Sequence, residues 1–186
     1  MSGRIKWTDR SFNFTFPTGI YPEIIERVRG TPARLEGRLA TVPAEYLTRT
    51  EADRWSIQEN AGHLLDLESL FAQRLDEYIA GAESLRAADM SNRKTYEADH
   101  NHVPLRQILN DFRTQRTRLV TRLDGLDAEL FERRSLHPRL NVPMRLVDML
   151  YFQSEHDDYH MARISELLKS YSIASGVSLN HPSITI

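Results

Sequence analysis

Apolar residues recur at helical spacing through four long stretches of the chain. From Tyr21 the segment PEIIERV begins a first helix. Gly30 and Pro32 are expected to interrupt it before it resumes over about 33–39. TVPAEYLTRTEAD then reads as a connector. A second helix is predicted over about 56–78, opened by Ser56 with Glu59 three positions on, the pattern of a capping box. Within it Leu67, Leu70, Arg74 and Tyr78 stay near the face of His63. A polar loop over about 81–101 holds two turns, and a third helix spans about 103–123 with Leu105, Ile108, Leu109, Phe112, Leu119 and Leu123 on its apolar side. A loop with short helical pieces follows and ends in SLHPRLNVP. Asn141 with Pro143 predicts the start of a fourth helix over about 143–169. Its inner stripe is Met149, Phe152, His156, His160, Ile164 and Leu167.

Four long helices in 186 residues predict an all-α domain built as a four-helix bundle, with the whole chain as a single domain. The first 18 residues are expected to be an irregular or extended arm, because Phe12, Phe14 and Phe16 alternate. The tail over 176–186 reads as loose, with an extended end. The arm should lie on its own bundle or on a partner subunit. If it did not fold back, Phe12, Phe14, Phe16 and Tyr21 would form an exposed apolar patch of a kind monomers rarely leave open, and a homodimer is expected; the competing account is a monomer whose arm packs on its own bundle.

Charge and composition narrow the function classes. Lys and Arg number 24 against 26 Asp and Glu, a net charge of −2, with the two signs interspersed. That balance gives no pull towards nucleic acid or an anionic membrane. No run of residues approaches the roughly 18 apolar positions of a membrane span. The amino-terminal stretch has no apolar core of a secretory signal, so a cytoplasmic location is expected. Cysteine is absent. Disulfides and covalent cysteine catalysis are therefore excluded, and any metal must be held by nitrogen and oxygen. No Ser-His-acid arrangement and no phosphate-binding glycine loop is present.

The chemistry-bearing pattern is a set of three histidines. His156 and His160, in EHDDYH, are four residues apart and share one helix face, separated by a rise of about 6 Å. His63 lies on the second helix and would meet them if the second and fourth helices were neighbours. Three neutral imidazoles with a vacant position suit catalytic zinc, and also nickel or iron. On spacing alone the histidines are either such ligands or hydrogen-bonded core residues. Two acids are candidate catalytic groups. Glu59, one turn before His63, would line the open position as a general base, or else cap the helix. Asp157 points about 100° away from His156 and would accept a hydrogen bond from a ligand imidazole, foremost that of His63, or else join a bundle salt bridge. Asp66, Glu68, Glu155 and Asp158 read as surface acids, and Arg74 and Arg116 as interior ion-pair residues.

Taken in order, these motifs resemble the DinB/YfiT-like metalloenzyme family, which is distinct from the similarly named DNA polymerases. The resemblance rests on Trp55 before a helix, then His63, Asp66 and Glu68, then Arg74, Arg116, the His137–Pro138 pair, and His156, Asp157 and His160 as HDxxH. It implies an up-down-down-up bundle, a divalent metal on His63, His156 and His160, and frequent homodimers. The metal would be zinc or nickel first, iron or manganese next. Family members include transferases and isomerases that use small thiols such as bacillithiol or mycothiol, and others resemble metal-dependent hydrolases. The expected function is thus a metal-dependent enzyme acting on a small molecule, with a low-molecular-weight thiol as a candidate second cofactor. The alternative is a non-catalytic metal-binding structural or stress-related interaction protein.

Overall fold

A computed structural model describes residues 4–51 and 54–175. The tail expected to be loose lies outside the described residues. Four long helices form the bundle, α1 (Tyr21–Leu39), α3 (Ile57–Ala80), α5 (Leu105–Asp124) and α6 (Leu146–Ser175). Short helices α2 (Ala44–Leu47) and α4 (Arg93–Glu97) and a two-stranded hairpin, β1 (Arg134–His137) and β2 (Val142–Arg145), lie in the connections. Helices α1 and α3 each pack against both α5 and α6. The order is up-down-down-up, so α3 and α5 run parallel and need the long crossover 81–104 between them. No helix among the described residues is long and apolar enough to cross a membrane.

Helix α3 begins as its sequence predicts. Ser56 Oγ accepts from the Glu59 backbone N–H at 3.0 Å, and Glu59 Oε2 accepts from the Ser56 N–H at 2.7 Å. Gly81 ends it in the left-handed conformation, φ 73°.

Helix α1 departs from the expected interruption and is continuous through Gly30 and Pro32. Proline has no N–H to give to the carbonyl four residues earlier, that of Val28. That carbonyl instead accepts from Arg116 Nη1 at 2.8 Å. A side chain from α5 thus replaces the hydrogen bond that would otherwise break the helix.

The predicted start of the last helix is also corrected. Pro143 sits in β2, paired with Leu136 of β1, and α6 begins three residues later. Asp148 Oδ2 accepts from the Arg145 backbone N–H at 2.8 Å and secures that start. Strands of four residues, one of them containing a proline, are too short for alternation to register in a sequence. The hairpin turn, with Asn141 at φ 53°, carries His137, Pro138 and Arg139 towards the bundle.

The apolar core has two parts. One gathers Ile24, Val28, Phe71, Leu119, Phe131 and Phe152, the other Leu35, Ile57, Leu64, Ile108, Phe112 and Leu167. A buried polar layer on the same four helices interrupts the apolar packing. Arg116, 1% exposed, is its hub. Its Nη2 meets Glu68 Oε1 at 2.7 Å and its Nη1 meets Asp157 Oδ2 at 2.6 Å. With the Val28 carbonyl, these acceptors occupy all five guanidinium N–H groups. Asp157 also accepts from Thr31 Oγ1 at 2.9 Å. Burial alone would lower the Arg116 pKa, but Asp157 and Glu68 hold it above the ordinary value.

The arm folds back onto its own bundle. Phe12 packs edge-on to Phe152, Phe16 lies against Tyr151, and Arg145 Nη2 donates to the Phe14 and Phe16 carbonyls at 3.1 and 2.9 Å. The aromatic patch is therefore covered, and the homodimer expectation rests on the family resemblance alone.

Gly62 sets how closely the crossover approaches α3. A methyl group at this position would overlap the ring of buried His100. His100 Nε2 meets Asp66 Oδ2 at 2.8 Å, and Gln58 Nε2 donates to the His100 carbonyl at 2.6 Å. Gly62→Ala must expel the ring and strand Asp66. We expect a loss of about 2 kcal/mol or more in urea unfolding; a loss below half that would show that the crossover yields easily.

Candidate metal centre

Helices α3 and α6 are neighbours, and His63, His156 and His160 converge between them. One donor nitrogen from each lies within 4.8 Å of the other two, and all three residues are buried. Their ring centroids are 4.6 to 5.3 Å apart. The i, i+4 pair on α6 gives two of the three, and the third comes from about two turns beyond the Ser56 cap of α3.

Second partners orient two of the rings. His160 Nδ1 lies 2.9 Å from Asn60 Oδ1. Asn60 Nδ2 donates to the Ser56 carbonyl at 2.7 Å, so its oxygen is the atom turned towards His160. The proton of His160 is therefore on Nδ1, and the Nε2 lone pair is free for a metal. His63 Nδ1 lies 2.9 Å from Thr95 Oγ1. His156 makes no hydrogen bond with the described residues, and its Nδ1 is buried without a partner. A buried imidazole normally has its polar atoms satisfied. An ion held with His63 and His160 would take up the lone pair that the protein leaves unused, so the donor set fits a divalent metal.

Electrostatics keep the rings neutral, as ligation requires. Burial, followed by the charge of His156, pushes the His63 pKa down to about 3. Burial, followed by Arg139 and Arg116, pushes that of His156 to about 3. Burial and the other two imidazoles hold His160 well below its ordinary value. An unfolded histidine titrates near 6.5. Between that value and about 3 the unfolded chain binds protons that the folded metal-free protein excludes. Their contribution to stability is intact above pH 6.5 and is lost as the pH falls towards the folded values. We expect urea unfolding of metal-free protein to lose about 1 kcal/mol per histidine between pH 7.5 and 5.5. A midpoint that does not move over that range would contradict this electrostatic description.

The two candidate catalytic acids lie elsewhere. Glu59 is engaged in the helix cap, and neither Glu59 nor Asp157 lines the opening to the histidines. The expected bond from Asp157 to His63 is replaced by ion pairing to Arg116. Asp66 and Glu68, read as surface acids, are both buried, because His100 and Arg116 supply them with partners. Glu155 and Asp158 do sit towards the surface, paired with Arg10, Arg27 and Arg34. Arg116 forms the expected interior ion pairs; Arg74 forms none among the described residues.

The histidines open onto a cleft of about 1270 Å³. Trp55 lies against His63 at 4.6 Å between centroids, and Trp7 of the arm meets His156 edge-on at 4.9 Å. Sequence reasoning missed Trp7, Thr95 and Arg139, which reach the site from the arm, the crossover and the hairpin turn. Asn60 was missed as well, although its place three positions before His63 on the same helix carried a signal.

Solved structures that share the fold include two of note. YfiT from Bacillus subtilis, described as a probable metal-dependent hydrolase with an unusual four-helix bundle topology, is similar over 91% of this chain and 95% of its own, at 19% identity and a TM-score of 0.75. A mycothiol-dependent maleylpyruvate isomerase is similar over 78% of this chain and 59% of its own, at 12% identity and a TM-score of 0.62. No curated protein sequence matches the chain. The pattern of the DinB superfamily matches residues 27–164, spanning the four bundle helices from α1 to the histidine pair of α6, and the chain belongs to that superfamily.

Proposed function

We propose that the protein is a metal-dependent enzyme that holds one divalent ion on His63, His156 and His160 and transfers a small thiol to, or through, an electrophilic substrate. The observation that carries this reading is the cluster of three buried, neutral imidazoles at the wall of an open cleft. When bound, the ion would supply Lewis-acid activation of a thiol or of water. Asn60 and Thr95 orient the ligand rings, while Trp7 and Trp55 wall the opening. A cleft above the roughly 300–1,000 Å³ of a single-ligand pocket has room for two reactants side by side. Among the described residues no carboxylate beside the histidines is free to act as a base, which suits a nucleophile that needs none once ionised.

The likeness to a mycothiol-dependent isomerase supports thiol chemistry, and the likeness to YfiT supports hydrolysis as the second reading. The deciding experiment incubates zinc-loaded or nickel-loaded protein with mycothiol or bacillithiol and monochlorobimane, and in parallel with amide and ester substrates. Metal-dependent loss of free thiol above the uncatalysed rate is expected. Acid release from the amides or esters without thiol consumption would transfer the assignment to hydrolysis. Absence of both reactions in metal-loaded protein would favour a binding role.

A further inference from the structure

The cleft also holds positive charge that no acid among the described residues neutralises. Arg74 is 2% exposed, yet it has no carboxylate partner among the described residues. Its Nε and Nη2 donate to the Arg86 carbonyl at 3.2 and 2.9 Å. The acid of its own helix whose charge bears on it, Glu77, is engaged by Arg86 at 2.7 Å. That leaves Nη1, whose neighbours are the Met149 sulfur at 3.7 Å and His137 Nε2 at 3.4 Å. A thioether is a weak acceptor. His137 is no better, because its Nδ1 accepts from the Leu140 N–H at 3.2 Å, which places its own proton on Nε2. Two donors therefore face each other without an acceptor.

Arg139 adds a third. Its guanidinium lies 5.5 Å from the Phe152 ring centre and 5.9 Å from that of Trp7, and its Nη2 is buried without a hydrogen-bond partner. It forms no ion pair among the described residues. The charges of Arg74 and Arg139 both bear on His137, and that of Arg139 also bears on His156. Arg74, His137 and Arg139 all line the cleft onto which the three histidines open. Buried charges and donors are ordinarily paired, and an uncompensated set marks a place where an anion belongs.

We propose that Arg74, Arg139 and His137 form a carboxylate-binding subsite that holds the acid group of a small organic substrate in the metal cleft. Three convergent N–H donors match the two oxygens of a carboxylate. The apolar faces of Phe152, Trp7 and Leu70 flank the path from this subsite to the histidines and suit a short carbon chain. As a statement about substrate the subsite rests on the metal-enzyme reading above; as a binding site it does not require the metal.

The test is therefore made on metal-free full-length protein by calorimetric titration with succinate, succinamide and inorganic phosphate. Saturable succinate binding is expected, at least tenfold tighter than succinamide. His160→Ala should bind succinate as the wild type does. Arg139→Gln, which alters a partly exposed side chain, should weaken it at least tenfold while leaving the circular dichroism spectrum and urea midpoint intact. Arg74→Gln should do the same if it folds. Unchanged affinity in R139Q, equal binding of succinamide, no saturable binding by the wild type, or tighter binding of phosphate than of succinate would each overturn the carboxylate assignment. Loss of binding in H160A alone would place the acid group at the histidines instead. A protein that binds succinate but no metal would retain the subsite and lose the proposed enzyme function.

Discussion

Arg116→Met is expected to destabilise the protein by about 3–5 kcal/mol, a large share of the 5–15 kcal/mol that typically holds a domain together. The residue changes little in volume, so packing loss is a minor part. The major part is electrostatic. Glu68 and Asp157, both buried, would face each other without the guanidinium between them. Burial already pushes the Glu68 pKa up, and Arg116 is the group that opposes the shift. In the variant at least one carboxyl should take up a proton at neutral pH. The Val28 carbonyl, left without its helical partner by Pro32, would also lose its donor. Two measurements separate this account from a simple packing defect. The stability of R116M relative to the wild type in urea should rise as the pH falls from 8 to 6, because the three histidines titrate alike in both proteins and only the variant has a buried carboxyl to protonate. Pro32→Ala, which restores an N–H to α1, should recover about 1 kcal/mol in R116M and less in the wild type. A variant within 1 kcal/mol of the wild type would mean that the buried layer is not held by this ion pair.

His160→Ala should bring metal content from about one ion per chain to near zero in protein purified without chelator, as read by plasma mass spectrometry. Two imidazoles on separate helices are a poor site, because the open positions must then be filled by solvent. Asn60→Ala is expected to act on the same site more mildly. It leaves all three ligands but frees the His160 ring to turn and to change tautomer, which should weaken metal binding about 10–100-fold. The order wild type, N60A, H160A tests whether Asn60 works through His160. Full metal occupancy in H160A, with no replacement ligand, would sink the triad assignment.

Much of the architecture was legible in the residues themselves. The Ser56–Glu59 box marked the start of α3 because a cap is a local device, made by residues three apart. The inward stripe of α6, from Met149 to Leu167, is buried as its spacing predicts, because a helix carries its period in its sequence. The His156–His160 pair needed only that period to share a face, and the motif order around it sufficed for the resemblance to the family.

The rest depended on partners distant in the chain. Pro32 reads as a helix breaker until Arg116, far along the sequence, supplies the donor that proline lacks. Asp66 and Glu68 read as surface acids because nothing nearby in the chain announces His100 or Arg116 as their partners. Asp157 lies beside His156 in sequence, yet the turn of the helix aims it at Arg116 instead. The hairpin was missed because strands of four residues leave too little alternation to recognise, and with it went the placement of His137 and Arg139 in the cleft. Helical period and capping are properties of neighbours in the chain, so the sequence by itself determined the bundle helices and the paired histidines. Charge compensation is a property of neighbours in space, so only the tertiary structure decided which acids are buried, which arginines are paired, and which remain open in the cleft.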